Sequence, residues 1–499
     1  MRSLFARKPI AELIAEGEDP NGLRRVLGPG DLIMLAIGAV IGAGIFSSIG
    51  TAAAGEILPS GVVVRYGAGP ALVISFILLG FVCGLAALCY AELASMIPQA
   101  GSAYAYSYAT LGEMIAWIIG WDLILEYAVG NIAVAVAWGG YFNSLLTAFG
   151  INLPAWITHG YRTALLSSDP AVHSLLETAP RFAGIPVLVN IPAFLIVMAI
   201  TWLLMRGVRE SARANNIMVV IKLLVLTLFV VVGAMHIDTS NYVPFAPNGW
   251  RGIHQGAAIV FFAYIGFDAI STAAEETKNP QRNMPIGILG GLAICTLIYV
   301  IVGFVATGMV PYQELRASDP LAKALTLAGM QTASWIVSLG AVVSLTAVLL
   351  VFQYGQPRIF FAMARDGLFF RRAGTLNSNN VPAFALVVQS IWTAFLCLTG
   401  TYGQLLNYVI FAALLFYAFT TAGLFILRAK RPDAVRPYRA FGYPVLPALY
   451  IVLCCAVMLL LLLSPTTRTE SISGLVLVLI GIPVFMLWRR VEGPTPADA

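Results

Sequence analysis

Apolar runs long enough to cross about 30 Å of hydrocarbon as helices follow one another along almost the whole chain. A backbone in hydrocarbon must satisfy its own polar groups, so such runs become helices packed side by side. Twelve can be counted, near 31–54, 70–96, 103–147, 185–206, 213–236, 252–273, 284–309, 331–362, 382–400, 404–427, 445–464 and 471–488. The third and eighth are longer than one crossing needs, which predicts tilt or extension beyond the bilayer. The chain is therefore expected to be an all-α polytopic membrane protein. Only 11% of the 499 residues are charged, against roughly 25% in soluble proteins. No stretch between the runs is long enough for a soluble catalytic domain.

Lysine and arginine set the orientation. With the N-terminus inside the cell, 21 of the 29 fall on the inner side and 7 on the outer, leaving Lys222 within the fifth run. That bias fits the positive-inside rule with both termini cytoplasmic. The net charge of +5 says nothing about nucleic acid, and no nucleic-acid partner is expected. Residues 1–30 form a polar, amphipathic segment without the short apolar core or cleavage site of a signal peptide. The cysteines Cys83, Cys89, Cys295, Cys397, Cys454 and Cys455 all lie inside the runs and are expected as buried free thiols, not as disulfides or a metal cluster.

The first run is interrupted. Its centre reads AIGAVIGAGIFSS, with Gly38, Gly42 and Gly44 in seven positions. Each glycine costs about 1 kcal/mol against alanine inside a helix. Gly38 and Gly42 also form a small-xxx-small pair of the kind that packs membrane helices closely. The sixth run has a matching irregularity, Tyr264-Ile265-Gly266-Phe267-Asp268. Corresponding weak points five runs apart point to a transporter built from inverted repeats, with its substrate site at the two breaks. Runs 1–5 (31–236) then form one repeat and runs 6–10 (252–427) the other. Residues 428–488 hold two accessory helices, and 489–499 form a cytoplasmic tail.

Several charges lie where hydrocarbon penalises them. Lys222 sits about two turns into the fifth run. It either snorkels to the interface or meets the carbonyls of a broken first run, where it can carry and release a proton. Asp122 and Glu126 share one face of the third run. They line a watery cavity, share a proton, or pair with the sixth run. Glu126 is the deeper and is read as a site residue, Asp122 as a structural brace. Asp268 is read as a cap on the second half of the sixth run. Glu92, Glu275 and Glu276 lie at inner helix ends, on the same side as Arg358 and Arg365. They are either an inward gate (Glu92, Glu275, Arg358 and Arg365) or ordinary solvated charge. Phe262, Tyr264 and Phe352 are core or site-wall aromatics, which periodicity does not separate. A channel would call for a repeated filter motif or rings of like charge. An intramembrane enzyme would call for a Ser/His pair or metal-ligand spacing such as H-E-x-x-H. None of these stands out.

Four blocks carry a resemblance: GAVIGAGIF, AALCYAELASMIPQAGSAYAYSYATLGEMIAWIIGWDLILEY, FFAYIGFDAISTAAEETKNPQRNMPIGI and YGQPRIFFAMARDGL. Through them the sequence resembles the amino acid–polyamine–organocation (APC) superfamily. Within it, roughly residues 20–490 are similar to bacterial members of the cationic amino acid transporter family. The resemblance implies a leucine-transporter-type 5+5 inverted repeat in the inner membrane and alternating-access, proton-coupled amino acid uptake. No cofactor and no sodium site are expected. The partners would be an amino acid and membrane lipid, with the chain acting as a monomer.

The resemblance also implies residue roles. The backbone of Ile41, Gly42, Ala43 and Gly44 would bind the substrate carboxylate, with Val40 also in the substrate site. Carbonyls of Phe262, Ala263 and Ile265, beside Tyr264, would take its amino group. Glu126 would flank the pocket. Lys222 would stand where sodium-coupled relatives hold a sodium ion, with Gly42 and Thr346 as neighbours. The physics agrees, since a half-helix N-terminus suits a carboxylate and exposed carbonyls suit an ammonium. Phe352 occupies a position that is small in animal members carrying arginine and lysine. Its ring should shorten the pocket and favour small or medium neutral amino acids such as alanine. Exchange of amino acids, carriage of cationic amino acids or polyamines, and ligand sensing without transport are the alternatives. Residues 55–66 look like an insertion in the first outer loop and have no assigned role.

Overall fold

The computed structural model describes residues 4–17, 22–57, 63–166, 170–317, 319–399, 403–463 and 468–492. Among the described residues, eight helices are long and apolar enough to cross a membrane: Gly69–Met96, Glu113–Thr147, Val208–Ala234, Pro280–Met309, Gln331–Arg365, Ile410–Lys430, Val445–Leu463 and Ser471–Arg489. Pro29–Val40 and Gly44–Ala54 make a ninth if taken as one span, bent by 41° at its break. The fourth and ninth runs give the shorter helices Ile191–Met205 and Ala383–Leu398. The sixth run divides into the α-helix Gly249–Val260 and two 3₁₀ segments, Phe261–Tyr264 and Ala269–Glu276.

The third run is not one tilted helix. It is two, Ala103–Thr110 and Glu113–Ala148. The N–H groups of Leu111 and Gly112 both donate to the Ser107 carbonyl, at 2.7 and 3.0 Å, and close the first helix. Gly112 then takes φ of 104°, a conformation that glycine reaches without a Cβ penalty. The fourth run starts later than its hydropathy suggests. Ile185–Pro186 pairs with Arg181–Phe182 as a short hairpin. The helix begins at Ile191, where the Asn190 side chain accepts the Ala193 N–H at 3.1 Å.

The first and seventh runs, the seventh and second, and the eighth and third form the closely packed centre of the bundle. The last helix is fastened to the third run by two indoles: Trp117 Nε1 donates to the Gly481 carbonyl at 2.8 Å and Trp121 Nε1 to the Leu477 carbonyl at 3.0 Å. The N-terminal segment lies across the Lys/Arg-rich end of the bundle, here called the basic face. Its helix Ile10–Glu16 buries Leu13. Beyond it, the N–H groups of Val26 and Leu27 donate to the Glu276 carbonyl at 2.8 and 2.9 Å.

At the opposite end, Glu56–Ile57 pairs antiparallel with Val63–Arg65, so the inserted segment is a hairpin; its residues 58–62 lie outside the described residues. All six cysteines are free thiols; five are buried and Cys455 is exposed, a departure from the expectation of burial. Cys455 belongs to Val445–Leu463, a helix that buries Pro447, Tyr450 and Cys454 and turns most of its other positions outward. Residues 493–499 of the expected tail lie outside the described residues.

Candidate functional site

The first run breaks where its glycines cluster. Ile41 N–H still reaches the Ile37 carbonyl at 3.0 Å, but Ile41 itself is extended, with φ of −79° and ψ of 97°. A π-helical turn, Gly44–Ser48, then leads into the half-helix Ile49–Ala54. The Gly42 carbonyl accepts both Ile45 and Phe46 N–H groups at 3.2 Å. As at any helix start, the leading N–H groups of the second half lack intrahelical acceptors.

The carbonyls released at the break find other partners. The buried Lys222 ammonium donates to the carbonyls of Ile41 at 2.7 Å, Gly38 at 3.3 Å and Ser344 at 3.5 Å. Ser344 Oγ donates to the same Ile41 carbonyl at 2.8 Å. Tyr299 places its hydroxyl 2.6 Å from the Val40 carbonyl and 2.9 Å from that of Ala263. One phenol thus links the two broken runs.

Close packing and the break coexist in the same glycines. A Cβ on Gly38 would lie 2.3 Å from Asn215 Oδ1, and one on Gly42 would lie 2.4 Å from Val348 Cγ2. A Cβ on Gly44 would fall 2.1 Å from that of Ala263, so the two breaks touch. In the sixth run Ile265 is extended, with φ of −59° and ψ of 135°, and Gly266 takes φ of 102°. Tyr264 is buried and donates its hydroxyl to the Phe76 carbonyl at 3.1 Å. Ala43 sits between the two pieces of the first run. Phe262 lies in the 3₁₀ turn.

Two expectations about neighbours, those for Thr346 and Asp268, are corrected. Thr346 does not contact Lys222: its hydroxyl receives Trp138 Nε1 at 2.8 Å and donates to Val342. Two residues separate it from Ser344, about 200° around an α-helix, so the two face opposite ways. Gly42 follows directly on Ile41, whose carbonyl Lys222 bonds, while the Gly42 carbonyl itself is engaged by its own turn. Asp268 precedes its 3₁₀ segment without a capping bond. Its Oδ1 instead accepts the Tyr417 hydroxyl at 3.2 Å, while Oδ2 has no hydrogen-bond partner.

Asp122 Oδ1 and Glu126 Oε2 are likewise buried without partners. Glu126 lies within electrostatic reach of both Asp122 and Asp268. Buried, incompletely satisfied polar atoms are costly, and here they gather beside the sixth-run break. Phe352 is buried against Gly130 of the third run, Gly266 of the sixth-run break, and the ring of Tyr127 with centroids 5.6 Å apart.

At the basic face, Arg358 pairs with Glu276 through two hydrogen bonds of 2.7 Å. Arg365 pairs with Glu275 at 2.8 and 3.2 Å, and its Nε lies 3.4 Å from Glu16 of the N-terminal segment. Lys8 joins Glu16 to Asp366. Glu92 stands apart from these pairs. It takes Arg428 at 2.9 and 2.5 Å, the Ala440 N–H at 2.7 Å, and Arg436 at 3.4 Å. Its partners come from the tenth run and the loop after it, not from the eighth run, because the second run ends beside the tenth. Sequence reasoning missed Ser344, Tyr299, Glu16 and Asp366. Ser344 and Tyr299 lie in apolar helices whose pattern does not mark them.

A family model described as "Amino acid permease" matches residues 27–486. The chain is 41% identical over 493 residues to a branched-chain amino acid permease of Bacillus subtilis, covering 98% of both chains. It is 39% identical over 496 residues to a methylthioribose transporter of the same organism, again covering 98% of both. A vacuolar cationic amino acid transporter of Arabidopsis thaliana is 35% identical over 447 residues, which is 87% of this chain and 68% of the relative.

Proposed function

The chain belongs to the amino acid permease family, and we propose that it imports small or medium neutral amino acids, alanine among them, by alternating access coupled to protons. On this reading all twelve runs cross the inner membrane as a leucine-transporter-type 5+5 inverted repeat with two accessory helices. Both termini and the basic face are cytoplasmic, and the chain works as a monomer.

The observation that carries the proposal is the Lys222 ammonium bonded at 2.7 Å to the Ile41 carbonyl, where the first run breaks against the sixth. A zwitterion needs N–H groups for its carboxylate and carbonyls for its ammonium, and two facing breaks offer both. The break from Val40 to Gly44 takes the carboxylate. The carbonyls of the Phe262–Ile265 turn take the amino group. Lys222 holds the first break while charged and releases it when it loses its proton, which ties substrate binding to proton movement. Phe352 closes the far end of the pocket. A bulky apolar wall suits a neutral side chain, and a branched-chain permease among the relatives supports that class.

Uptake into proteoliposomes tests the proposal. Labelled alanine or leucine should accumulate with an inward proton gradient and no sodium. Lys222→Met should abolish accumulation. Strict dependence on sodium would overturn the role of Lys222, and selective uptake of arginine or lysine would overturn that of Phe352.

A further inference from the structure

Nothing in the backbone of the helix Glu113–Ala148 calls for glycine at position 130, which keeps ordinary helical geometry. Glycine there is unfavourable by about 1 kcal/mol relative to alanine. What excludes a side chain is one ring. A Cβ on Gly130 would lie 2.7 Å from Cε2 and 2.9 Å from Cδ2 of Phe352. The opposite edge of the same ring meets the second glycine: a Cβ on Gly266 would lie 2.9 Å from Phe352 Cε1. Gly266 is required on other grounds, since its φ is 102°. Tyr127, one turn before Gly130, covers the ring with centroids 5.6 Å apart. The phenyl group is therefore wedged between an intact helix and the sixth-run break, and the missing side chain at 130 makes the space that lets it stand back from that break.

We infer that Gly130 is a specificity-determining residue: it positions the Phe352 ring and so sets the longest substrate side chain that the pocket accepts. The inference rests on the reading of Phe352 as the end wall of an amino acid site. A methyl group at 130 would push the ring toward Gly266 and shorten the pocket. Displacement of a packed ring by a methyl group is resisted strongly enough to be felt as a substrate effect.

The test compares uptake of labelled alanine and leucine in proteoliposomes by the parent chain, Gly130→Ala, Phe352→Leu and the double variant. Gly130→Ala should lower the leucine-to-alanine ratio of transport efficiencies by about tenfold, a plausible size for one misplaced contact. Phe352→Leu removes the ring edge that meets Gly130, so in that background the alanine at 130 should leave the ratio within about twofold. An equal loss for both substrates, or the same tenfold change in the absence of the ring, overturns the inference. Where Gly130→Ala alone fails to fold, the ratios of Phe352→Leu and the double variant decide: agreement supports it and divergence overturns it. A parent chain that transports neither amino acid overturns the transport reading itself, whereas normal parent uptake with an unshifted ratio in Gly130→Ala overturns only the role of Gly130.

Discussion

Arg358 and Glu276, at the basic face, meet fork to fork with both bonds at 2.7 Å, and Tyr354 also donates its hydroxyl to the carboxylate. Lys222, at the first break, is as deeply buried but donates its hydrogen bonds to backbone carbonyls, with no carboxylate among the acceptors. Beside the sixth-run break, Glu126 and Asp268 each keep an oxygen without a hydrogen-bond partner. A buried charge that is fully paired holds one arrangement. A buried charge that is met by carbonyls, or incompletely met, leaves capacity for a ligand or a proton. These buried ionic groups thus form a closed set at the basic face and an open set beside the breaks.

The largest effect should come from breaking the closed set. Arg358→Met leaves Glu276 buried without its cation and should lower stability by about 3–5 kcal/mol. The double variant Arg358→Met/Glu276→Met should recover most of that loss, because the charge is removed along with its partner. Thermal unfolding in detergent, followed through the tryptophans, measures both. A double variant as unstable as the single would mean that the pair contributes through packing and not through charge.

Lys222→Met should cost less stability and more function. It removes the ammonium, but the Ile41 carbonyl keeps the Ser344 hydroxyl at 2.8 Å. The expected loss of stability is about 2 kcal/mol, the order of a hydrogen bond to a charged group. The effect on proton-driven accumulation should nevertheless be complete. If Lys222→Met unfolds the protein as readily as Arg358→Met does, the contrast between closed and open sets fails, and Lys222 is a structural cation.

This contrast was only half visible beforehand. The twelve runs, the glycine-rich centres of the first and sixth, and Lys222 all stand out in sequence, because glycine and charge are conspicuous against an apolar background. The partners do not stand out. Ser344 and Thr346 look equivalent as small hydroxyl residues in one apolar helix, and only helical rotation decides that Ser344 meets Ile41 while Thr346 meets Trp138. Glu92 shares a sequence context with the other carboxylates of the basic face, yet it pairs with Arg428 because of where the second run ends. The third run hides a turn at Gly112 whose N–H pairing is local and leaves no mark on hydropathy. Periodicity identifies helices and their buried charges; it carries no information on which face of one helix meets which residue of the next.

The smallest effect should fall outside both sets. Glu56 and Arg65 face each other across the inserted hairpin at 3.8 Å, with side chains about half and a third exposed. Water screens such a pair, and holding two long side chains in place offsets most of the attraction. Glu56→Gln should therefore change stability by about 0–1 kcal/mol, within the scatter of a detergent melt, and leave alanine uptake at parent level. The comparison makes this variant useful, because it changes a charge without touching the closed set or the breaks. A marked loss of uptake in Glu56→Gln would show that the hairpin, next to the half-helix whose Ala54 carbonyl is capped by Arg316 at 2.9 Å, governs access to the breaks. The open set of charges would then extend to the end of the bundle opposite the basic face, and the hairpin would be part of the transport cycle.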